Sequence, residues 1–540
     1  MGYAKRRCLL KFMIYNLVYE LMHSLVRCQP GRFDILLQNA GIASMHTAVT
    51  HHNTVVFLDR TNIGSSQINL TNGMCRNNLA DRVSTHDCSA HSVVFDIASN
   101  TVRPLFVFTD TWCSSGAFLP NGTLMQTGGD FDGMKKVRYF SPCPSSDTCN
   151  WIESGKELLA GRWYATNQLL PDLRVITVGG RDVFTYEFVP DQGLGQFNLQ
   201  FLLDTDDQWN DNLYPFVHLL PDNNLYIFAN RDSILLNYYT NKVLRKYPTI
   251  PGEPRNYPCA GSSVLLPLDS ANGYSIAEVL VCGGANKFAF PYPPAQPGAS
   301  QTCGRMVVTS SNPTWLMQTM PMRRNMGDMV LLPNNRVLII NGAQNGSQGW
   351  MDASKPCYNP VIYDPVTSTF EVQAASTIAR LYHSTANLLA DGRILVAGSN
   401  THQFYTLSGP FPTELRVEAF SPAYLDSSNN GQRPKFLKYP TIVRYGFKFS
   451  VDVAIPGKLN GGGIKLNLIS APYTTHSYSQ GQRQLKLSVS TPLRKGSNSS
   501  STYTVTSMVP SAVLAPPTYY MLFALHGGIP STAVWVLVSF

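Results

Sequence analysis

Leu219-Leu220-Pro221-Asp222-Asn223-Asn224-Leu225-Tyr226-Ile227-Phe228-Ala229-Asn230 is one copy of the phrase that decides the fold. An apolar pair leads into a turn of Pro, Asp, Asn or Gly, and an apolar strand follows that often ends in Gly-Gly. The phrase returns at residues 118–129, 169–180, 331–342 and 388–399, with a longer turn at 264–284 and more faintly at 49–60. Seven copies, mostly 50 to 70 residues apart, each join two short strands through a tight turn. A four-stranded unit repeated at about fifty residues is a kelch-type blade. A simple β-sandwich would alternate strands and turns without repeating one phrase. The reading is all-β: a seven-bladed kelch-type β-propeller over residues 31–428.

Residues 429–540 alternate apolar and polar positions between glycine-rich turns such as 461–463. Their number suits an immunoglobulin-like β-sandwich, which we expect as the C-terminal domain. Residues 1–30 read as an atypical targeting segment: Arg6-Arg7 precede Cys8-Leu9-Leu10, but Lys11 and Glu20 interrupt the apolar stretch. No uninterrupted apolar run is long enough to cross a membrane. Residues 519–538, broken by His526-Gly527-Gly528 and Pro530, read as two strands and a turn.

Charged residues are 14% of the 540 and the net charge is +8, spread without a Lys/Arg run. That speaks against nucleic acid as a partner and is compatible with a wall polysaccharide. Eleven cysteines and four Asn-x-Ser/Thr sequons (Asn69, Asn121, Asn345, Asn498) point to a secreted glycoprotein, extracellular or in the cell wall. Cys75/Cys88 and Cys143/Cys149 are spaced as loop-closing pairs, although spacing does not fix the connectivity.

Equivalent positions of propeller blades converge on the central axis. Cys113 stands nine residues before Gly122, Tyr164 nine before Leu173, and His383 nine before Gly392, with Tyr382 beside it. A thiol, a phenol and a Tyr-His pair therefore share one repeat phase, at the start of the innermost strands. His51-His52 falls in a turn and reads as surface. His46, His86, His91, His218, His402 and His526 carry no matching motif and read as structural or solvated.

The strings Asp110-Thr111-Trp112-Cys113-Ser114-Ser115-Gly116, Gly161-Arg162-Trp163-Tyr164-Ala165-Thr166, Arg380-Leu381-Tyr382-His383-Ser384 and Ala471-Pro472-Tyr473-Thr474-Thr475-His476-Ser477 resemble motifs of the copper radical oxidases. The resemblance runs from about residue 31 through the sandwich and is closer to the plant glyoxal oxidase-like branch than to fungal galactose oxidases. It implies one copper ion held by Tyr164, Tyr382, His383 and His476, and a thioether joining Cys113 to Tyr164 as the radical cofactor. Tyr382 becomes the catalytic base, and a loop of the sandwich has to carry His476 to the axis. An imidazole and phenolate donor set suits Cu(II). One Cu(II) accepts one electron, so a two-electron oxidation needs a redox-active side chain beside it.

The implied reaction oxidises small aldehydes, through their hydrates, or primary alcohols, with O2 reduced to hydrogen peroxide. Galactose oxidase stacks a tryptophan on its radical from a segment that here reads Gly180-Arg181-Asp182-Val183-Phe184, which counts against galactose-type specificity. Galactose or a galactose-containing polymer remains the alternative substrate. A non-enzymatic kelch binding protein is the alternative function. Trp163 is placed to pack on Tyr164 or between blades, and Arg323-Arg324 lie in a loop that could approach the substrate.

Overall fold

The computed structural model describes residues 29–144, 148–290, 295–457, 459, 462–495 and 501–540. Residues 1–28, nearly all of the expected targeting segment, and the Asn498 sequon lie outside the described residues. Each repeat phrase is the hairpin of an inner and a second strand, and seven four-stranded blades are built on them. The innermost strands are His46–Val49, Ser115–Phe118, Thr166–Leu169, Phe216–Leu219, Gly261–Leu265, Asp328–Leu331 and Ser384–Leu388. The last blade takes its outer strand from the other end of the chain: Arg32–Leu37 pairs antiparallel with Val417–Ser421 and closes the ring.

The Gly-Gly endings have a physical cause. The first residue of each pair is left-handed, as at Gly128, Gly179 and Gly283 (φ 74°, 74° and 75°). A Cβ on the second would strike backbone, at 2.0 Å from the Asp110 carbonyl for Gly129. The carbonyl exposed by this turn is capped by a buried arginine. Arg138, Arg162 and Arg380 donate to Gly128, Gly179 and Gly398 at 2.8, 2.7 and 2.7 Å, while Arg255 and Arg324 do the same for Gly283 and Asn341. Arg324 is thus committed inside its blade, donating also to the Asn359 carbonyl, and Arg323 donates to Ala299 O. For Arg324 the expected approach to a substrate gives way to packing, while Arg323 stays exposed.

The C-terminal sandwich has two sheets. One contains Lys465–Ser470, Gln484–Leu487, Tyr519–His526 and Val534–Ser539, and the other Lys435–Lys438, Lys448–Ile455, Leu493–Lys495 and Ser501–Met508. The long turn of the fifth blade adds Leu268–Asp269 to the first sheet, in parallel with Gln484–Leu487. Between the sheet strands, a hairpin of Tyr473–Thr475 and Tyr478–Gln480 leaves the sandwich and pairs with the innermost strand of the first blade. Its chain then reaches every other blade. Gln480 Oε1 accepts from Gly116 N (3.4 Å) and Asn167 N (2.9 Å), and Tyr478 Oη accepts from Val217 N (2.8 Å). Ser477 Oγ donates to Gly261 O (2.9 Å), Gln482 Oε1 accepts from Leu331 N (2.7 Å), and Asn387 Nδ2 donates to Thr474 Oγ1 (2.9 Å). Innermost strands would otherwise present unpaired backbone groups to the channel, at a cost of about 1–3 kcal/mol for each buried one.

Cys75–Cys88 and Cys143–Cys149 are disulfides, and a third, Cys282–Cys303, ties adjacent strands of the fifth blade. Cys113, Cys259 and Cys357 are free and buried.

Two predictions follow from these buried ions. Arg162 donates from Nε to Glu187 at 2.7 Å with both side chains at most 2% exposed. Arg162→Ala is expected to cost about 3–5 kcal/mol in denaturant unfolding by stranding Glu187, whereas removing the exposed Arg32–Asp34 pair costs about 1 kcal/mol or less. Burial holds His218 near pKa 3 against an ordinary 6.5, and the Arg483 charge adds to the shift. The unfolded chain takes up this proton below about pH 6.5 and the folded chain does not, so its contribution is complete above 6.5 and is lost as pH falls towards 3. Between about pH 6 and 4, His218→Gln should lose stability less steeply than wild type, by about 1.4 kcal/mol per pH unit.

Candidate metal centre

The residue nine before each turn is bent into the left-handed region just before an innermost strand: Cys113, Tyr164 and His383 have φ of 51°, 66° and 65°. This conformation costs a non-glycine residue about 1–2 kcal/mol and turns its side chain in towards the axis. The same count reaches Tyr214 and Met326, with φ of 49° and 44°. Backbones of successive blades are tied at this level, Tyr164 N donating to Cys113 O and Tyr214 N to Tyr164 O, both at 3.0 Å. Blade geometry therefore sets Cys113, Tyr164 and Tyr214 side by side.

His476 arrives from above them. With Ser477 it forms the two-residue tip of the sandwich hairpin, and both have positive φ (47° and 62°), as a type I′ turn requires. Instead of a loop, the sandwich sends a hairpin whose paired stem fixes the imidazole.

All five predicted residues converge and are buried. His476 Nε2 is 3.2 Å from Cys113 Sγ, and ligand atoms of Cys113, His383 and His476 lie within 4.8 Å of one another. Tyr382 stacks on His383 with ring centres 3.7 Å apart, and the two imidazoles stand nearly perpendicular at 5.0 Å. The phenols of Tyr164 and Tyr382 do not touch each other. Tyr257 joins them: its hydroxyl accepts from Tyr164 Oη at 3.1 Å and lies 2.9 Å from Tyr382 Oη, and its ring stacks on Tyr164 at 4.4 Å.

Trp163 packs on Tyr164 at 4.7 Å, tilted by 38°, and meets Trp112 edge-on at 5.0 Å. An indole thus lies on the tyrosine, supplied by its sequence neighbour, and the Arg181 guanidinium lies over that indole at 5.4 Å from its centre. His51, in the turn expected at the surface, is half-buried against Tyr519 of the sandwich, and His52 is exposed.

Three functional neighbours escaped the sequence reading. Tyr214, 4.9 Å from His476, was within reach of the repeat count, since it stands nine residues before Asn223. Tyr257 precedes the long-turned fifth blade and sits at no fixed phase. His46, among the histidines assigned a structural or solvated place, is wholly buried behind His476.

Residues 45–424 match the family described as Glyoxal oxidase N-terminus, and residues 433–538 match Galactose oxidase-like, Early set domain. The chain belongs to the glyoxal oxidase family. An aldehyde oxidase, GLOX, of Vitis pseudoreticulata is 51% identical over 512 residues, 94% of this chain and 97% of that protein. An aldehyde oxidase of Arabidopsis thaliana is 41% identical over 525 residues, covering 94% and 85%. A fungal alcohol oxidase solved in complex with copper aligns with TM-score 0.72 at 16% identity, over 95% of this chain and all of that one, and shares the fold.

The donors of this glyoxal oxidase family member fit a copper ion. His383 Nε2 is buried with no hydrogen-bond partner, an atom that needs an acceptor of its lone pair or proton. Burial holds His383 and His476 well below the usual histidine range, so both present neutral, ligating nitrogens. Burial, then the neighbouring Cys113 and Tyr257, pushes Tyr164 and Tyr382 well above the tyrosine range. A dication among them reverses that balance and favours phenolate. Two nitrogens and two phenol oxygens favour Cu(II) over the harder cations. Burial also drives the Cys113 thiol well up.

Removing the bridge tests this geometry. In Tyr257→Phe, Tyr164 and Tyr382 lose their shared hydrogen-bond partner, and oxidase activity of the copper-loaded protein is expected to fall at least about tenfold, mainly in kcat rather than KM.

Proposed function

We propose that this protein is a secreted copper radical oxidase that converts small aldehydes, as their hydrates, to carboxylic acids while reducing O2 to hydrogen peroxide. One observation carries the reading. Cys113, Tyr164, Tyr382, His383 and His476, brought from two domains, meet in one buried cluster whose imidazoles are neutral. The aldehyde oxidases that are 51% and 41% identical over nearly the whole chain support the substrate class. Three disulfides support an oxidising, extracellular setting.

Tyr164, Tyr382, His383 and His476 would hold the copper. The bound metal supplies one of the two one-electron acceptors that a two-electron oxidation needs. Tyr164 supplies the other. Cys113 lies within hydrogen-bonding reach of the Tyr164 side chain, and the thioether would join its sulfur to the ring position ortho to the hydroxyl. A thioether there costs the thiol and the ring one hydrogen each, with O2 as oxidant, and its sulfur donates electron density that makes the phenol easier to oxidise. Trp163 covers that ring and keeps water from it. Tyr382 takes the hydroxyl proton of the hydrate, and oxidised Tyr164 takes the hydrogen atom from its carbon. Tyr257, bonded to both hydroxyls, holds the two reacting oxygens in register.

The test is a substrate panel with mass analysis on copper-loaded full chain. Peroxide is expected from glyoxal and methylglyoxal in preference to galactose, together with an intact mass two hydrogens below the sequence mass after allowance for the disulfides. Cys113→Ala should abolish the mass deficit and lower peroxide formation by at least about a hundredfold. Preference for galactose would assign the alcohol oxidase reading. No peroxide from any substrate, with Cys113→Ala indistinguishable from wild type, would leave a binding protein.

A further inference from the structure

His46 begins the innermost strand of the first blade, is 0% exposed, and lies in no motif assigned a role above. Its Nε2 is 3.1 Å from the Thr111 carbonyl oxygen and its Nδ1 is 2.7 Å from Thr475 Oγ1. Thr475 Oγ1 is in turn 2.6 Å from His476 Nδ1. Four groups from two domains thus form an unbroken chain that ends at a candidate ligand.

Each bond in the chain has a forced direction. A carbonyl oxygen can only accept, so His46 Nε2 carries the hydrogen. A neutral imidazole carries one hydrogen, so with that hydrogen on Nε2 the buried His46 ring offers only a lone pair at Nδ1. The Thr475 hydroxyl must then donate to His46 Nδ1. Its oxygen accepts from His476 Nδ1–H, which leaves Nε2 of a neutral His476 as a bare lone pair. That atom is the one 3.2 Å from Cys113 Sγ, facing into the cluster. Ser114 Oγ, at a longer 3.3 Å from His46 Nε2, can share the same hydrogen and pass its own to Tyr473 Oη at 3.1 Å. Running the chain the other way would set the His46 Nε2 lone pair against the Thr111 carbonyl oxygen.

We infer that His46 is a positioning residue which, through the Thr475 hydroxyl, locks His476 in the Nδ1–H tautomer and so keeps Nε2 free to bind metal. This deepens the proposed function and rests on its placing of His476 among the ligands. Without the chain, His476 would divide between two tautomers and two ring orientations, and only one binds. Outer partners of this kind commonly govern metal affinity by 10–100-fold.

The experiment uses the full chain in two forms. In the metal-free protein, nitrogen resonances of 15N-labelled histidine, assigned with His476→Ala, should show His476 in the Nδ1–H form. Thr475→Val and His46→Phe should shift it towards the other tautomer, and Thr475→Ser should restore it. In chelator competition, Thr475→Val and His46→Phe should bind Cu(II) about 10–100-fold more weakly than wild type, while Thr475→Ser stays within about threefold. Melting temperature is followed in parallel, because a purely structural role would lower it without moving the tautomer. If His46→Phe does not fold, Thr475→Val, which replaces one hydroxyl by a methyl, carries the test. Wild-type His476 in the Nε2–H form, or Thr475→Val binding copper as tightly as wild type, would overturn the inference and leave the ligand assignment standing. If His476→Ala binds copper as tightly as wild type, the ligand assignment itself fails.

Discussion

A single hairpin threads the propeller. Residues 473–482 leave the sandwich, pair with the first blade and hydrogen-bond to the inner strands of the other six. An open propeller axis is a ring of strand edges, and exposed edges are either solvated or covered. Here the hairpin lies against them and bonds to each inner strand. Because the covering chain carries His476 at its tip, satisfying the edges and placing the imidazole are one event. The two domains are therefore parts of one folding and functional unit, joined again where Leu268–Asp269 enters the sandwich sheet.

The same constraint explains which parts of the molecule could be read from sequence. The blade phrase was legible because most blades share a tight turn and a left-handed residue at the end of the second strand, glycine or asparagine in six of the seven. Cys113, Tyr164 and His383 were legible because they share the phase of that phrase. His476 was reached only through the resemblance of its motif, since nothing in the strand pattern of residues 465–487 says that two strands depart from their sheet. Tyr214 obeyed the count, standing nine residues before Asn223, but no motif drew attention to it. Tyr257 obeyed no count, because the fifth blade has a longer turn and its loop is irregular. His46 was hidden for a different reason. Its importance lies in the direction of hydrogen bonds to residues far along the chain, and one-dimensional spacing carries no such information.

Arg324 illustrates the converse case. Two adjacent cations in a loop suggest an exposed, ligand-seeking pair, yet Arg324 repeats what Arg138, Arg162, Arg255 and Arg380 do in their own blades. The carbonyl freed by a left-handed turn in a dry interior needs a strong donor, and guanidinium supplies several in one plane. Charge at these positions is an answer to backbone geometry. The cluster at the axis has a different character: neutral imidazoles, protonated phenols and a buried His383 Nε2 without a hydrogen-bond partner.

The central claim is that one copper ion sits on the axis, held jointly by the propeller and by the hairpin that plugs it. Electron spin resonance of the copper-loaded full chain, prepared with 15N-labelled histidine, addresses it most directly. The account predicts a signal at one Cu(II) per chain whose nitrogen couplings come from two histidines, one of them lost in His476→Ala. A spectrum with no histidine coupling, or one that His476→Ala leaves unchanged, would contradict it.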